Sequence, residues 1–147
     1  MSMKFDEKNW PVGHAFTTKL GDGSAKIAVF ADPNCGWCKR LVQETLSKME
    51  NLTVYWFFYP VLGEDSVVKS AVILSSKTPN KAWYEWCMDE KAPTGMFKAS
   101  QMKVLEDNSR LAEKLKIETV PAIFLEDGAG PFGFMTAMEL GEKIQHS

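Results

Sequence analysis

Cys35 and Cys38 are separated by two residues in the stretch Phe30-Ala-Asp-Pro-Asn-Cys-Gly-Trp-Cys-Lys-Arg-Leu41, where an apolar run ends in a turn and opens into a helix. A dithiol is thereby placed at a helix N-terminus. The first turn of a helix has N–H groups without intrahelical acceptors and carries the positive end of the macrodipole, so a sulfur there is stabilised as thiolate. Lys39 and Arg40 add positive charge to the same turn. Thiols in this setting ionise well below their free value, which makes the first sulfur an attacking group near neutral pH and a good leaving group. The chemistry indicated is thiol–disulfide exchange.

Other uses of the pair fit less well. Half of a zinc site has the same spacing, but zinc needs two further ligands, and Cys87, His14 and His146 do not stand at paired ligand spacing. An inert staple across two residues removes little unfolded-state entropy. Val120-Pro121 adds to the redox reading, since it falls where a strand begins and a proline there occupies a strand start, an edge or a cis bond. In the cis case the backbone of Val120 stays free to pair with an extended substrate segment beside the thiols. Cys87 shares a helical face with Trp83 and Trp86 and reads as a small buried hydrophobe. Trp37, between two working cysteines, must lie near the surface, where an aromatic face can hold an unfolded chain.

Composition bounds the alternatives. The 147 residues are 45% hydrophobic with a net charge of −2, a packed single domain without the basic footprint of a nucleic-acid binder. No window is long and apolar enough to span a bilayer, and the opening Met-Ser-Met-Lys-Phe-Asp-Glu-Lys lacks the apolar core of a signal peptide. Met1-Ser2-Met3 is compatible with a start set ahead of a mature or truncated sequence, so a cytoplasmic home does not follow. Three cysteines are too few for a disulfide scaffold.

The elements that must position the dithiol follow from the patterning. Residues 1–13 are expected to form a flexible polar arm, His14–Leu20 a strand, and Gly21–Ser24 a turn. Lys26–Ala31 has the continuous apolar run of a strand buried on both faces, and Trp37, Leu41, Val42, Leu46 and Met49 make one stripe on the helix that follows. Leu52–Tyr59 is aromatic and β-branched and stops at Pro60, completing a right-handed βαβ unit. A helical insertion over residues 63–106 is expected next, with a helix capped by Glu64-Asp-Ser66, a second starting at Thr78-Pro79 and a third around Met96–Leu105. Asp107-Asn-Ser109 then predicts a cap for a further helix carrying Leu111, Ala112 and Leu115. Ile117–Leu125 predicts a strand, Asp127-Gly128 a turn, and Phe132–Phe134 an edge strand. Thr136-Ala-Met-Glu139 spells a capping box for a last helix that buries Ala137, Leu140 and Ile144. The order is α/β, with helices inserted between a βαβ half and a ββα half.

Together these segments resemble the periplasmic disulfide isomerases of the DsbC/DsbG type, thioredoxin-fold proteins. The likeness runs from about Phe16 to Ile144 and rests on the Cys35-Gly36-Trp37-Cys38 segment, Phe58-Tyr-Pro-Val-Leu-Gly-Glu-Asp-Ser66, Lys81-Ala-Trp83 and Thr119-Val-Pro-Ala-Ile-Phe-Leu-Glu-Asp-Gly128. The resemblance implies a thioredoxin-like fold, Cys35 as nucleophile, Cys38 as resolving thiol and Val120-Pro121 as a substrate-facing loop. It implies no cofactor beyond a redox-active Cys35–Cys38 disulfide, with disulfide-containing or misfolded proteins as substrates and a thiol partner that resets the pair. Val120 departs from the threonine common in the isomerases and is similar to the oxidant, DsbA-type branch. Cys87 stands alone where those proteins often hold a second cysteine pair, and the residues before the first strand leave no room for their dimerisation domain. A monomer or weak dimer in the periplasm is therefore the expectation, with a chaperone-like binding module as the competing class.

Overall fold

The protein, a computed structural model describing residues 4–147, is built around β2 (Ala25–Ala31), whose residues from Ile27 onward are all buried. β2 runs parallel to β3 (Asn51–Phe58), with Ala25 opposite Leu52 and Ala31 opposite Phe58. On its other side β4 (Ala122–Leu125) runs antiparallel, Ile27 facing Leu125 and Phe30 facing Ala122. β1 (Phe16–Gly21) pairs antiparallel with β3, so the mixed sheet has the order β1-β3-β2-β4. Gly21 ends β1 with a φ of 60°, and a Cβ there would meet the Glu50 carbonyl oxygen at 1.8 Å, so only glycine allows this turn.

Alternation along the strands sends side chains to two cores. Ile27, Val29, Ala31, Val54, Trp56, Phe58 and Ile123 face the helices α1 (Gly36–Arg40), α2 (Glu64–Ser75), α3 (Pro79–Asp89) and α5 (Ala137–Gln145). Ala28, Phe30, Phe57 and Phe124 face α4 (Ala99–Lys114) and the N-terminal segment. α1 continues without a break through a π-helical turn (Leu41–Thr45) and a 3₁₀ turn (Leu46–Lys48), with Leu41, Val42 and Leu46 fully buried.

Several expectations are corrected. The N-terminal segment is a docked element from Phe5 onward: Phe5 and Trp10 are 2% and 5% exposed, and the Trp10 indole N–H donates to the Phe5 carbonyl at 2.9 Å. Residues 1–3 of the expected arm lie outside the described residues. Asp107-Asn-Ser109 starts no helix, because α4 runs straight through it and Asn108 is buried with its amide donating to the Phe58 carbonyl at 3.1 Å. α2 is entered from Gly63 without a side-chain cap, since the Ser66 hydroxyl is drawn to Asp32. Residues 117–121 are not strand, and the expected edge strand is reduced to one bridge between Ile123 and Phe132. The capping box at Thr136 is formed as expected, with the Glu139 N–H donating to the threonine hydroxyl and the Thr136 N–H to the Glu139 carboxylate. Of the residues assigned to that last core face, only Leu140 is fully buried; Ala137 and Ile144 are half-buried.

Candidate active site

The end of β2 delivers the chain into Asp32-Pro33-Asn34, a turn closed by the Cys35 N–H donating to the Asp32 carbonyl at 3.0 Å. Cys35 is the N-cap of α1, and its sulfur accepts from the Cys38 N–H at 3.3 Å. Cys35 is 8% exposed and Cys38 fully buried, and all three cysteines are free thiols. The two titrate apart. Hydrogen bonding from the Cys38 thiol, then from the Cys38 and Trp37 N–H groups, brings Cys35 down to about 6 against the opposing effects of burial and the Asp32 charge. Burial first, and the shared hydrogen bond second, push Cys38 far above the ordinary thiol value. These directions favour a thiolate at Cys35 near neutral pH, with Cys38 a protonated neighbour that donates to it.

Lys39 and Arg40, expected to tune the thiol, are engaged elsewhere. The Lys39 ammonium sits 3.9 Å from the Trp86 ring centroid, while Arg40 lies over Trp37 at 4.3 Å and pairs with Glu44 at 2.5 Å. Lowering comes from the Cys38 thiol and main-chain donors instead. Cys87 is fully buried, its thiol pushed up by burial, in keeping with a core residue.

Val120-Pro121 forms a cis peptide bond, and the Val120 carbonyl oxygen lies 3.5 Å from the Cys35 sulfur. Trp37 is 51% exposed and packs on Phe134 with ring centroids 5.1 Å apart. A groove of about 490 Å³ is lined by Trp37, Thr119, Val120, Pro121, Gly133 and Phe134. The structure therefore gathers Cys35, Gly36, Trp37, Cys38, Val120 and Pro121 at one end of the sheet. Phe134 has no local tie to the cysteines in the sequence, and Thr119 stands out there only as the residue before Val120-Pro121. Asp32 left a signal: it is the carboxylate that directly follows the buried strand leading into the cysteines.

Residues 12–146 match the Thioredoxin-like domain family. The chain belongs to the thioredoxin-like family. Among relatives within it, the probable thiol:disulfide interchange protein DsbC of Bordetella parapertussis is 38% identical over 144 residues, covering 97% of this chain and 49% of that protein. The thiol:disulfide interchange protein DsbG of Escherichia coli is 31% identical over 113 residues, covering 70% and 44%. The chain spans about half the length of the curated relatives it matches. A crystal structure of a disulfide interchange protein from Neisseria gonorrhoeae superposes with a TM-score of 0.85 at 28% identity, covering 93% of this chain and 97% of that one. Wolbachia pipientis alpha-DsbA1 shares the thioredoxin-like fold, with a TM-score of 0.68 at 14% identity.

Proposed function

We propose that the chain is a protein thiol–disulfide oxidoreductase, isomerase- or reductase-like, working in an oxidising compartment such as the periplasm. The observation that carries this is the Cys35 sulfur at the N-cap of α1, held by the Cys38 N–H at 3.3 Å and facing the Val120 carbonyl at 3.5 Å. Cys35 thiolate attacks one sulfur of a substrate disulfide; a Cys35–substrate disulfide forms, the substrate S–S bond breaks and the other sulfur leaves as thiolate. From there two routes open. Attack by another substrate thiolate regenerates Cys35 thiolate and leaves a rearranged substrate. Attack by Cys38, after loss of its proton, forms the Cys35–Cys38 disulfide and releases a substrate reduced by two electrons. The groove beside Trp37 and Phe134 receives apolar side chains of an unfolded segment, and the main chain of Val120 offers that segment a hydrogen-bonding edge.

A second reading, a disulfide oxidant, is supported by Val120 before Pro121 and by the low Cys35 value, since a stabilised thiolate favours the dithiol form and hence oxidising power. The equilibrium constant of the Cys35–Cys38 pair with glutathione tests both. A value in the range of isomerases and reductases supports the first reading, and one favouring the dithiol as strongly as a dedicated oxidant replaces it with the second. A variant with both Cys35 and Cys38 replaced that still suppresses aggregation at full strength, beside a wild type that turns over no disulfide, would mark a chaperone-like module instead.

A further inference from the structure

Asp32 is fully buried three residues before Cys35, and four donors converge on its carboxylate. One oxygen accepts from the Asn34 N–H and the Ser66 hydroxyl, both at 2.7 Å. The other accepts from the Val61 and Leu62 N–H groups at 2.7 and 3.0 Å. A carboxylate suits this set, whereas the NH2 of an amide in its place would aim a donor at a backbone N–H on either side. The same turn is held from outside, with the Asn34 amide donating to Asp65 and Ser66 at 3.0 Å each and the Trp86 indole donating to the Pro33 carbonyl at 2.5 Å.

Among the described residues, the charged groups around the turn leave Asp32 without a cation of its own. Lys69 of α2 pairs with Asp65 of the same helix, and Lys39 of α1 lies over the Trp86 ring of α3. A buried anion held by hydrogen bonds alone keeps a field little weakened by water. That field opposes ionisation of Cys35 and of Cys38 alike.

We propose that Asp32 is a positioning residue for the exchange reaction: its buried carboxylate locks the turn that presents Cys35 to residues 61–62 and to α2, and its charge biases the dithiol toward the reducing side. The proposal rests on the oxidoreductase reading above. Thiolate stabilisation at the helix N-terminus favours the dithiol form and makes such a pair oxidising; a nearby fixed anion opposes it.

The test is Asp32→Asn, read by thiolate absorbance against pH and by equilibration with glutathione. Cys35 is expected to ionise about one pH unit lower, which is about tenfold more thiolate at a given pH below its midpoint. The glutathione equilibrium is expected to move about threefold or more toward the dithiol. Ser66→Ala keeps the charge and loses one donor; its glutathione equilibrium should stay within about twofold of wild type while the Val61 and Leu62 amides exchange faster. A folded Asp32→Asn protein with wild-type thiolate titration and equilibrium overturns the proposal. Should Asp32→Asn not fold, amide exchange in the wild type decides: the Asn34, Val61 and Leu62 amides should be protected, and unprotected exchange there overturns the positioning role. A wild type that forms no reversible Cys35–Cys38 disulfide would overturn the oxidoreductase reading itself, an outcome separate from an indifferent Asp32→Asn variant in an active background.

Discussion

Cys35 and Cys38 share one helical turn yet ionise on opposite sides of the ordinary thiol value: hydrogen bonds from the Cys38 thiol and from the Cys38 and Trp37 N–H groups bring Cys35 down, while burial first and the shared hydrogen bond second push Cys38 up. Alkylation of the reduced protein should therefore fall on Cys35, its rate rising about tenfold per pH unit below about 6 and levelling above. Peptide mapping after limited iodoacetamide treatment checks this, and preferential modification of Cys38 would reverse the assignment. The same shift has a stability consequence. Between about pH 6 and about pH 8.5 the unfolded Cys35 thiol holds a proton that the folded one has lost, so the unfolded state binds more protons and folding stability rises with pH. Urea unfolding of the reduced protein should show stability increasing over that window relative to Cys35→Ser, the contribution fading as pH falls through 6. The place of Cys35 at a helix N-terminus was legible in the sequence because it is a local feature. The roles of Lys39 and Arg40 were not, because Trp86, which holds Lys39, comes from a helix much later in the chain, and the residue sequence does not say which way a side chain leaves α1.

Elements announced by local chemistry were read correctly: the doubly buried β2, the aromatic β3, the helix starting at Pro79 and the capping box at Thr136. Elements decided by distant partners were not. Around Phe5 and Trp10 the sequence is Lys4, Asp6, Glu7, Lys8 and Asn9, polar enough to read as a loose arm, yet the Phe5 ring lies 5.0–6.1 Å from Trp10, Phe30, Phe57 and Phe124. Two aromatics amid charge carry no periodicity, and only the exposed face of the sheet reveals their use. Trp10→Ala should cost about 3–5 kcal/mol in urea unfolding, as for a buried aromatic truncated in a core; a loss under about 1 kcal/mol would return the segment to the status of an arm. In α4 the Asp107-Asn-Ser109 run resembles a cap because short polar side chains favour helix starts, but the buried Asn108 serves the end of β3 by bonding to the Phe58 carbonyl. Asn108→Ala should destabilise by about 1–3 kcal/mol, since it strands a buried carbonyl, whereas Ser109→Ala should change stability by less than about 0.5 kcal/mol.

Across the whole molecule, the two ends of the sheet differ in what they offer a partner. The dithiol end exposes Trp37, with Val61 and Leu62 on the neighbouring loop, while a cavity of about 670 Å³ at the other end is lined by charged Asp6, Glu7, Lys8, Lys26, Glu126 and Asp127. The groove at the dithiol end, about 490 Å³ and lined by Trp37 and Phe134, would accommodate a few side chains of an unfolded segment at a time. A hold that short sets a competition once the mixed disulfide has formed. Cys38 sits in the same helical turn, one hydrogen bond of 3.3 Å from the Cys35 sulfur, whereas a second substrate thiol must find its way back to the site through rearrangement of a loosely tethered chain. For a protein of these 147 residues, resolution by Cys38 should win, so insulin reduction should proceed readily and refolding of a scrambled multi-disulfide substrate poorly. Cys38→Ser should accumulate the mixed disulfide, and Trp37→Ala should lower kcat/KM toward protein substrates by about tenfold while reaction with glutathione is little changed, because only the longer substrate uses the aromatic face. Sedimentation at micromolar concentration should give a monomer or a weak dimer. A tight dimer that refolds scrambled substrate strongly and reduces insulin feebly would show that the hold on the substrate extends well beyond the groove at Trp37.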